Sequence, residues 1–340
     1  MNSVGERVPP NISIAVIVIT WNRPEFVRSS LQAITTQTSS PRQIIVVDAS
    51  KTQETRDIVR KFPTVTYLNF VRGAGHMTAA RNAGLLVATN TDVVAFLDDD
   101  AYPAPYWAEA LQEAYEDATV YAAVGRTVNE PLPAFTGGSI DLPIGRFQAN
   151  GLLTSNFDRN IDQIIDVDHG IGANMSFRRS LLTALGGFYE SWPGTAMRED
   201  TDMFLRVRRA GVRSVFVPNA LATHIAAPHV RGRRFDHRYD YYANRNHVVL
   251  LARHHGLFSL VMFRWTIAMF RALGEVQARN SFNRVLRQIV SLAGAFVGCT
   301  VALVQGLVRP ASIYNTDQVA HLVKMSHVPH VSEARDIGLS

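Results

Sequence analysis

The sequence predicts an α/β domain with a mostly parallel central sheet, followed by C-terminal helices. Three observations carry this. Short β-branched apolar runs alternate with helical stretches from residue 12 onward. Those runs are continuously apolar, as in strands buried on both faces. From about Phe235 the pattern becomes helical and remains so to about residue 308.

ISIAVIVIT (12–20) reads as the first buried strand. Pro24 opens a helix reaching about Gln37, since a first-turn N–H has no intrahelical partner to lose. QIIVVD (43–48) is the second strand, Thr52 to Lys61 a helix, and TVTYLNF (64–70) the third strand. Residues 76–88 read as a helix with Ala79, Ala83 and Leu86 on one side. DVVAFLDDD (92–100) is a fourth strand ending in acid, and a helix follows Pro103. This alternation implies right-handed crossovers between parallel strands. Residues 129–160, rich in Pro, Gly and Asn, read as a long loop of the kind that serves as a functional flap. GANMSFR, from Gly172, reads as a strand entering a helix. Arg198 to Ala210 is an amphipathic helix with Met203, Phe204 and Val207 as its stripe, closed by Gly211. VRSVFVP (212–218) is a further strand. The expected organisation is a disordered N-terminus (1–11), an α/β domain (12–234), a helical region (235–310) and a polar tail (311–340).

Composition narrows the function. Of 340 residues, 47% are hydrophobic and 19% charged, which suits a globular protein with a large core. The single cysteine, Cys299, excludes an intramolecular disulfide and a cysteine-built zinc site, and fits a reducing cytoplasm. The net charge of +5 suits phosphorylated substrates or an anionic membrane. With no long Lys/Arg block or zinc-finger spacing, no nucleic-acid partner is expected. MNSVGERVPPN holds no apolar run, so no secretory signal is expected there. Segment 289–308 has twenty residues without formal charge, about the length that spans a bilayer.

Ligands of such sheets bind beyond the carboxyl ends of the strands, which singles out Thr20, Asn22, Asp48 and Asp98 to Asp100. Three adjacent carboxylates repel one another, and Mg²⁺ or Mn²⁺ is a natural relief that can also steady a diphosphate leaving group. A solvated acidic turn is the plainer reading. Glu199, Asp200 and Asp202 open a helix, where acids favour its dipole. Alternatively, one of them takes a proton from a hydroxyl. His224 follows a strand and is either structural or a metal ligand. Arg81, on the helix before the acidic strand, is either an exposed helical arginine or a phosphate contact. The first strand leads into TWNRPE and lacks G-x-G-x-x-G, which disfavours a dinucleotide-binding dehydrogenase.

In order, TWNRP, VVDAS (46–50), ARNAGL (80–85), FLDDDAYP (96–103), GANMSFRR (172–179), REDTDMFLRVRRAG (198–211) and PNALATHI (218–225) resemble family 2 glycosyltransferases of the GT-A fold. The resemblance covers about residues 12 to 250. It implies an inverting transfer of a sugar from a nucleotide diphosphate, UDP- or dTDP-linked, to a glycan or lipid-linked acceptor. Thr20 and Asn22 would line the base pocket and Asp48 would accept a hydrogen bond from the base. Arg81 would lie near base or diphosphate, and Asp98 near ribose or metal, with Asp99 beside it. Asp100 and His224 would complete the Mg²⁺ or Mn²⁺ site. Asp200, preceded by Glu199, would be the general base. Gly172 to Asn174 would approach the donor sugar and Trp192 the acceptor. Arg245 and Asn246 would pack beneath the site or close it. The competing readings are a sugar-phosphate nucleotidyltransferase and a non-catalytic sugar-binding scaffold. The C-terminal helices are expected at the inner face of the cell membrane, with Arg253, Arg284, Arg287 and Arg309 toward anionic headgroups. A soluble helix pair or a homo-oligomer interface is the alternative. Gly294 and Gly298 have helix-packing spacing.

Overall fold

The computed structural model of the chain describes residues 12–130, 143–194, 196–225, 237–274 and 281–312. The expected disorder of 1–11, part of the expected loop (131–142) and the tail beyond Ser312 lie outside the described residues.

The chain begins with β1 (Ile14–Thr20), α1 (Pro24–Thr35), β2 (Gln43–Asp48), α2 (Glu54–Val59), β3 (Val65–Asn69), α3 (Met77–Val87) and β4 (Val93–Asp98). It continues through β5 (Ala101–Pro103), α4 (Trp107–Glu116), β6 (Val120–Glu130), β7 (Arg146–Phe147), β8 (Leu153–Thr154) and β9 (Ile165–Asp166). β10 (Asn174–Arg178), α5 (Arg179–Ala184), α6 (Glu199–Arg209) and β11 (Arg213–Ile225) complete the α/β body. Three helices follow, α7 (His237–His255), α8 (Leu260–Gly274) and α9 (Ser281–Val304).

The central sheet runs β3-β2-β1-β4-β10-β6-β11-β5, with β9 also on β11. Its first four strands are parallel, β10 enters antiparallel, and β6 and β11 are parallel to each other. Period-two alternation explains the continuous apolar runs. On β1, Ala15, Ile17 and Ile19 join the core under α3, α5 and α6, whereas Ile14, Val16 and Val18 join the core under α1 and α4.

Several expectations are corrected. The strand β6 was hidden in residues assigned partly to a loop, because Gly125, Arg126 and Thr127 interrupt its apolar pattern. The helix after Pro103 starts only at Trp107, since Ala101–Pro103 pairs with β11 as a strand. β11 extends to Ile225, past an irregularity between Val217 and Ala222 that lets Pro218 sit within a strand. On α3 the buried face is Thr78, Ala80, Arg81, Gly84 and Leu85, while Leu86 is 82% exposed. The helix is turned to bury an arginine, which no apolar pattern announces.

The helical region is joined closely to this body. Trp192, on the loop before α6, and Leu205, on α6, share a core with Val248 to Ala252 of α7. α9 lies on α7 through Ser291, Gly294, Ala295, Gly298 and Ala302. A Cβ on Gly294 would lie 2.3 Å from the Tyr241 carbonyl oxygen, and one on Gly298 2.7 Å from that of Arg245. Only a glycine permits such backbone approach.

Candidate active site

The carboxyl ends of β1, β2 and β4 meet at one edge. Asn22 has φ of 55° and donates its N–H to Ser50 Oγ at 2.7 Å, tying the loop after β1 to that after β2. Asp48 is fully buried, accepting from Ser50 N at 2.8 Å and Tyr67 Oη at 2.9 Å. Thr20 is buried and donates to Asp99 Oδ2 at 2.6 Å.

The three adjacent acids have separate fates. Asp99 is 0% exposed and turned inward, where Arg23 Nε also donates to it at 3.1 Å. Burial pushes its carboxyl up to about 7 against the opposing charge of Arg23. Asp99 therefore sits beneath the cleft, not in a position to touch a donor as expected. Arg23 reaches Asp100 Oδ2 as well, at 3.0 Å, so part of the repulsion is relieved from within the chain. Sequence reasoning passed over Arg23, although a cation next to TWN was visible.

Asp98 and Asp100 are left facing His224. Its Nε2 lies 3.2 Å from Asp100 Oδ1, and its Nδ1 2.8 Å from Asn129 Oδ1. β11 delivers His224 there by pairing with Ala101 across β5. Burial opposes ionisation of Asp100, but the His224 hydrogen bond and the Arg23 charge outweigh it and hold the carboxyl below its usual range. One ligand atom from each of Asp98, Asp100 and His224 falls within 4.8 Å of the others. Two carboxylates and one imidazole suit Mg²⁺ or Mn²⁺. The imidazole supports that fit. Both ring nitrogens face oxygen acceptors, and a neutral ring can donate to only one. A cation in the gap would use the Nε2 lone pair while Nδ1–H remains on Asn129, the usual arrangement for a ligating histidine.

Arg81 connects this cluster to the next. It is 1% exposed and donates from Nη2 to Asp98 Oδ1 and to the Gly172 carbonyl, each at 3.2 Å. Its Nη1 pairs with Glu199 Oε1. A Cβ at Gly172 would lie 2.8 Å from Glu199 Oε1 and 3.0 Å from Arg81 Nη2, so a larger residue would have to displace the ends of this ion pair. Gly172 N in turn donates to Asp200 Oδ2 at 2.9 Å. Asp98 and Asp200 are thus linked by two residues, Arg81 and Gly172. Asp200 is partly exposed, its Oδ1 held by Thr201 N at 2.6 Å.

Other expected roles do not match the placement. Glu199 is turned inward, and burial pushes it up to about 8 despite Arg81, so it does not present a base to the cleft. Arg81 is consumed by these pairs and has no face for a phosphate. Asn174 is 1% exposed, donating to the carbonyls of Arg126 (3.1 Å) and Ala220 (2.9 Å) and accepting from Trp107 Nε1 (2.8 Å). It knits the sheet to α4 and meets no sugar. Trp192 is 2% exposed, edge-on to Tyr189 and covered by α7, so no face remains for a glycan. Asn246 of α7 is fully buried and donates to the carbonyls of Pro193 (3.3 Å) and Met197 (3.1 Å), holding the loop ahead of Asp200 from below.

Two family models cover this chain. Residues 15–186 match "Glycosyl transferase family 2", and residues 156–311 match "Glycosyl transferase family group 2". The chain belongs to glycosyltransferase family 2. A pre-mycofactocin glycosyltransferase of Mycobacterium tuberculosis is 29% identical over 222 residues, 64% of this chain and 43% of that protein. An O-antigen chain rhamnosyltransferase of Salmonella anatum is 28% identical over 193 residues, 55% of this chain and 58% of that protein. The chain thus spans about half the length of these two. A Mycobacterium tuberculosis N-acetylglucosaminyl-diphospho-decaprenol L-rhamnosyltransferase is 24% identical over 302 residues, 82% of this chain and 97% of that protein. Among solved structures, GalNAc-T7 with UDP, GalNAc and Mn²⁺ aligns with a TM-score of 0.58 at 16% identity, covering 82% of this chain and 54% of that one. TarS of S. aureus aligns with a TM-score of 0.56 at 12% identity, covering 92% and 90%. The family 2 chain has the GT-A fold.

Proposed function

We propose that this family 2 chain is an inverting glycosyltransferase moving a sugar from a nucleotide diphosphate, UDP- or dTDP-linked, to a hydroxyl of a glycan or lipid-linked acceptor. The observation that carries the reading is the Asp98–Arg81–Gly172–Asp200 linkage, which sets a partly exposed carboxylate beside a metal-competent cluster. Asp200 accepts the proton of the acceptor hydroxyl as that oxygen bonds to the anomeric carbon and the bond to the diphosphate oxygen breaks. Gly172 N and Thr201 N fix the direction of the carboxylate before substrate arrives, so little reorganisation is needed. Asp98, Asp100 and His224 would hold Mg²⁺ or Mn²⁺, which would offset negative charge on the departing diphosphate. The loops at Thr20, Asn22 and Asp48 receive the base, with Asn22 the exposed member.

Calorimetry with a panel of nucleotide sugars and Mn²⁺ tests the donor. Asp200→Asn is the test of the base, with kcat falling about 10³-fold and donor affinity changing less than about twofold. Unchanged transfer by Asp200→Asn would remove the assignment.

We place the reaction at the cytoplasmic membrane face, with α9 lying along the surface. α9 is long and apolar enough to cross a membrane, with a mean hydropathy of 1.6. Yet its small-residue face is fixed along α7, which carries His237, Arg238 and Asp240. Crossing would drag that charged helix into lipid. The opposite face exposes Phe282, Val285, Ile289, Leu292 and Phe296 at spacings of three and four. α8 exposes Leu260, Phe263, Ile267 and Phe270 beside Arg264 and Arg271. Between residues 256 and 312 there are six arginines and one glutamate, an excess that equals the whole chain's +5. Two expected headgroup contacts are otherwise engaged: Arg253 is buried on Asp202, and Arg287 pairs with Asp240 at 2.7 Å.

A further inference from the structure

The backbone just ahead of Asp200 is bent against its own preference. Gly194, Ala196 and Arg198 all lie in the left-handed region, with φ of 75°, 54° and 81°. Alanine and arginine are disfavoured there, and such backbone persists only where its surroundings over-determine it. The helix α6 starts from this bend, with Glu199 N donating to the Ala196 carbonyl at 3.1 Å and Asp202 N to that of Arg198 at 2.8 Å. Whatever holds the bend therefore sets where the backbone of Asp200 lies.

One face of α7 does this. Tyr242, Asn246 and Arg253 are spaced by four and seven residues and so share a side of the helix. Asn246 is fully buried, and its amide is used completely. Oδ1 accepts from Arg245 Nη1 at 2.8 Å, and the two Nδ2 hydrogens go to the carbonyls of Pro193 (3.3 Å) and Met197 (3.1 Å). A flipped amide would set Oδ1 against two carbonyl oxygens, so the orientation is fixed. A Cβ at Gly194 would lie 2.5 Å from the Tyr242 ring, so the helix presses directly on the bend.

Beyond Asp200, Arg253 Nε donates to Asp202 Oδ1 at 3.1 Å. Helix α7 thus grips the chain on both sides of Asp200, at Met197 before it and at Asp202 after it. The carboxylate itself is aimed from elsewhere, by Gly172 N on Oδ2 at 2.9 Å and Thr201 N on Oδ1 at 2.6 Å. Those two bonds give Asp200 a direction only while its backbone stays in place.

We propose that Asn246 is a positioning residue for sugar transfer, holding the Pro193 and Met197 carbonyls so that the Asp200 carboxylate meets the incoming hydroxyl. The proposal rests on the reading of Asp200 as the base. It makes α7 part of the reacting unit as well as the support for α9. Placement of this kind carries much of a rate, since a displacement of about 1 Å costs about 10²-fold.

Hydrogen exchange in the full chain tests this without substrate, because the amide hydrogens of Gly172 and Thr201 sit on the Asp200 carboxylate. Asn246→Ala should speed exchange at both by about tenfold or more, with the amides of β4 unchanged. Asn246→Ser keeps one donor, is gentler on the fold and should fall in between. Val248 lies on the side of α7 that faces Gly298, so Val248→Ala should leave both amides as protected as in the parent. Turnover is read as nucleoside diphosphate released from UDP-glucose, UDP-N-acetylglucosamine or dTDP-rhamnose, whichever binds with Mn²⁺, water standing in for the acceptor. Asn246→Ala should slow release about 10- to 100-fold at unchanged donor affinity. Added to Asp200→Asn it should slow release no further, because the two act as one unit. The proposal is overturned if exchange at Gly172 and Thr201 keeps the parent's rate in both Asn246 variants. A rise shared by β4, an equal rise in Val248→Ala, or a full second fall in the double variant also overturns it. If the two amides loosen while Asp200→Asn releases diphosphate as fast as the parent, Asn246 still places Asp200 and it is the base reading that falls.

Discussion

His254 Nε2 donates to Asp202 Oδ1 at 2.9 Å, deep between α6 and α7. The same oxygen accepts from Arg253 Nε at 3.1 Å. The helix that carries Asp200 is therefore bound to the first C-terminal helix by a buried carboxylate. Burial opposes the charge on Asp202, but the hydrogen bond from His254 and the nearby cations hold its carboxyl down at about 2. His254 is itself driven below its usual range by burial, more than Asp202 raises it, so a neutral imidazole donating Nε2–H is the consistent state.

This pair gives a pH dependence with a definite sign. The unfolded chain takes up protons on His247 and His254 near pH 6.5, which the folded chain refuses because burial lowers both. Their contribution is complete above pH 6.5 and is lost as pH falls below it. Asp202 contributes above its unfolded value near 4 and loses that contribution as pH falls toward about 2. Asp99 and Glu199, pushed up to about 7 and about 8, act with the opposite sign over the same range, so the expected outcome is a difference: between pH 7.5 and 5, His254→Asn should lose less of its urea midpoint than the parent does. An equal loss would show that His254 titrates freely in the fold. His254→Ala should cost about 3 kcal/mol.

Asn129 touches no carboxylate of the cluster, yet it orients His224 through Nδ1. Asn129→Ala should weaken Mn²⁺ affinity about 10- to 100-fold with the melting temperature nearly unchanged. Isothermal titration with Mn²⁺ reads this directly. Unchanged affinity would mean that His224 is held by its strand alone.

Asn174 gives a prediction opposite to the one its motif implies. Asn174→Ala would strand the Trp107 N–H and two carbonyls in the core, lowering stability by about 2–4 kcal/mol. Donor affinity of the folded fraction should stay within about twofold of the parent. A selective rise in donor KM without loss of stability would restore the donor role.

Membrane docking is read by sedimentation with vesicles. The full chain should pellet with phosphatidylglycerol vesicles and much less with phosphatidylcholine. Phe282→Ser with Phe296→Ser should release it, because each exposed phenylalanine contributes about 2 kcal/mol when buried in lipid. If that double variant instead converts a dimer to a monomer and vesicle binding is absent, the stripe is an interface between copies.

Much of the fold was legible because buried strands announce themselves. The parallel half, β1 to β4 with its crossovers, follows from β-branched runs and turn residues. β6 was not legible, since its middle is small and polar and its partners are remote in the chain. At the site, Asp98, Asp100, Asp200 and His224 stood out as polar groups at element ends. Asp99, Glu199, Arg81 and Asn174 belong to the same motifs but point inward. A motif places a residue along the chain and says nothing of side-chain direction.

The sequence by itself determined the order of the four parallel strands and their crossover helices, the edge at which polar residues collect and the family. Tertiary structure alone decided which carboxylates face the cleft, which arginines are consumed by them and how α9 divides its faces. The reason is energetic: the state of a charged group depends on burial and on partners many residues away. Asp98 and Asp200 meet through Arg81 and Gly172, and that proximity exists only once β4, α3 and α6 have packed.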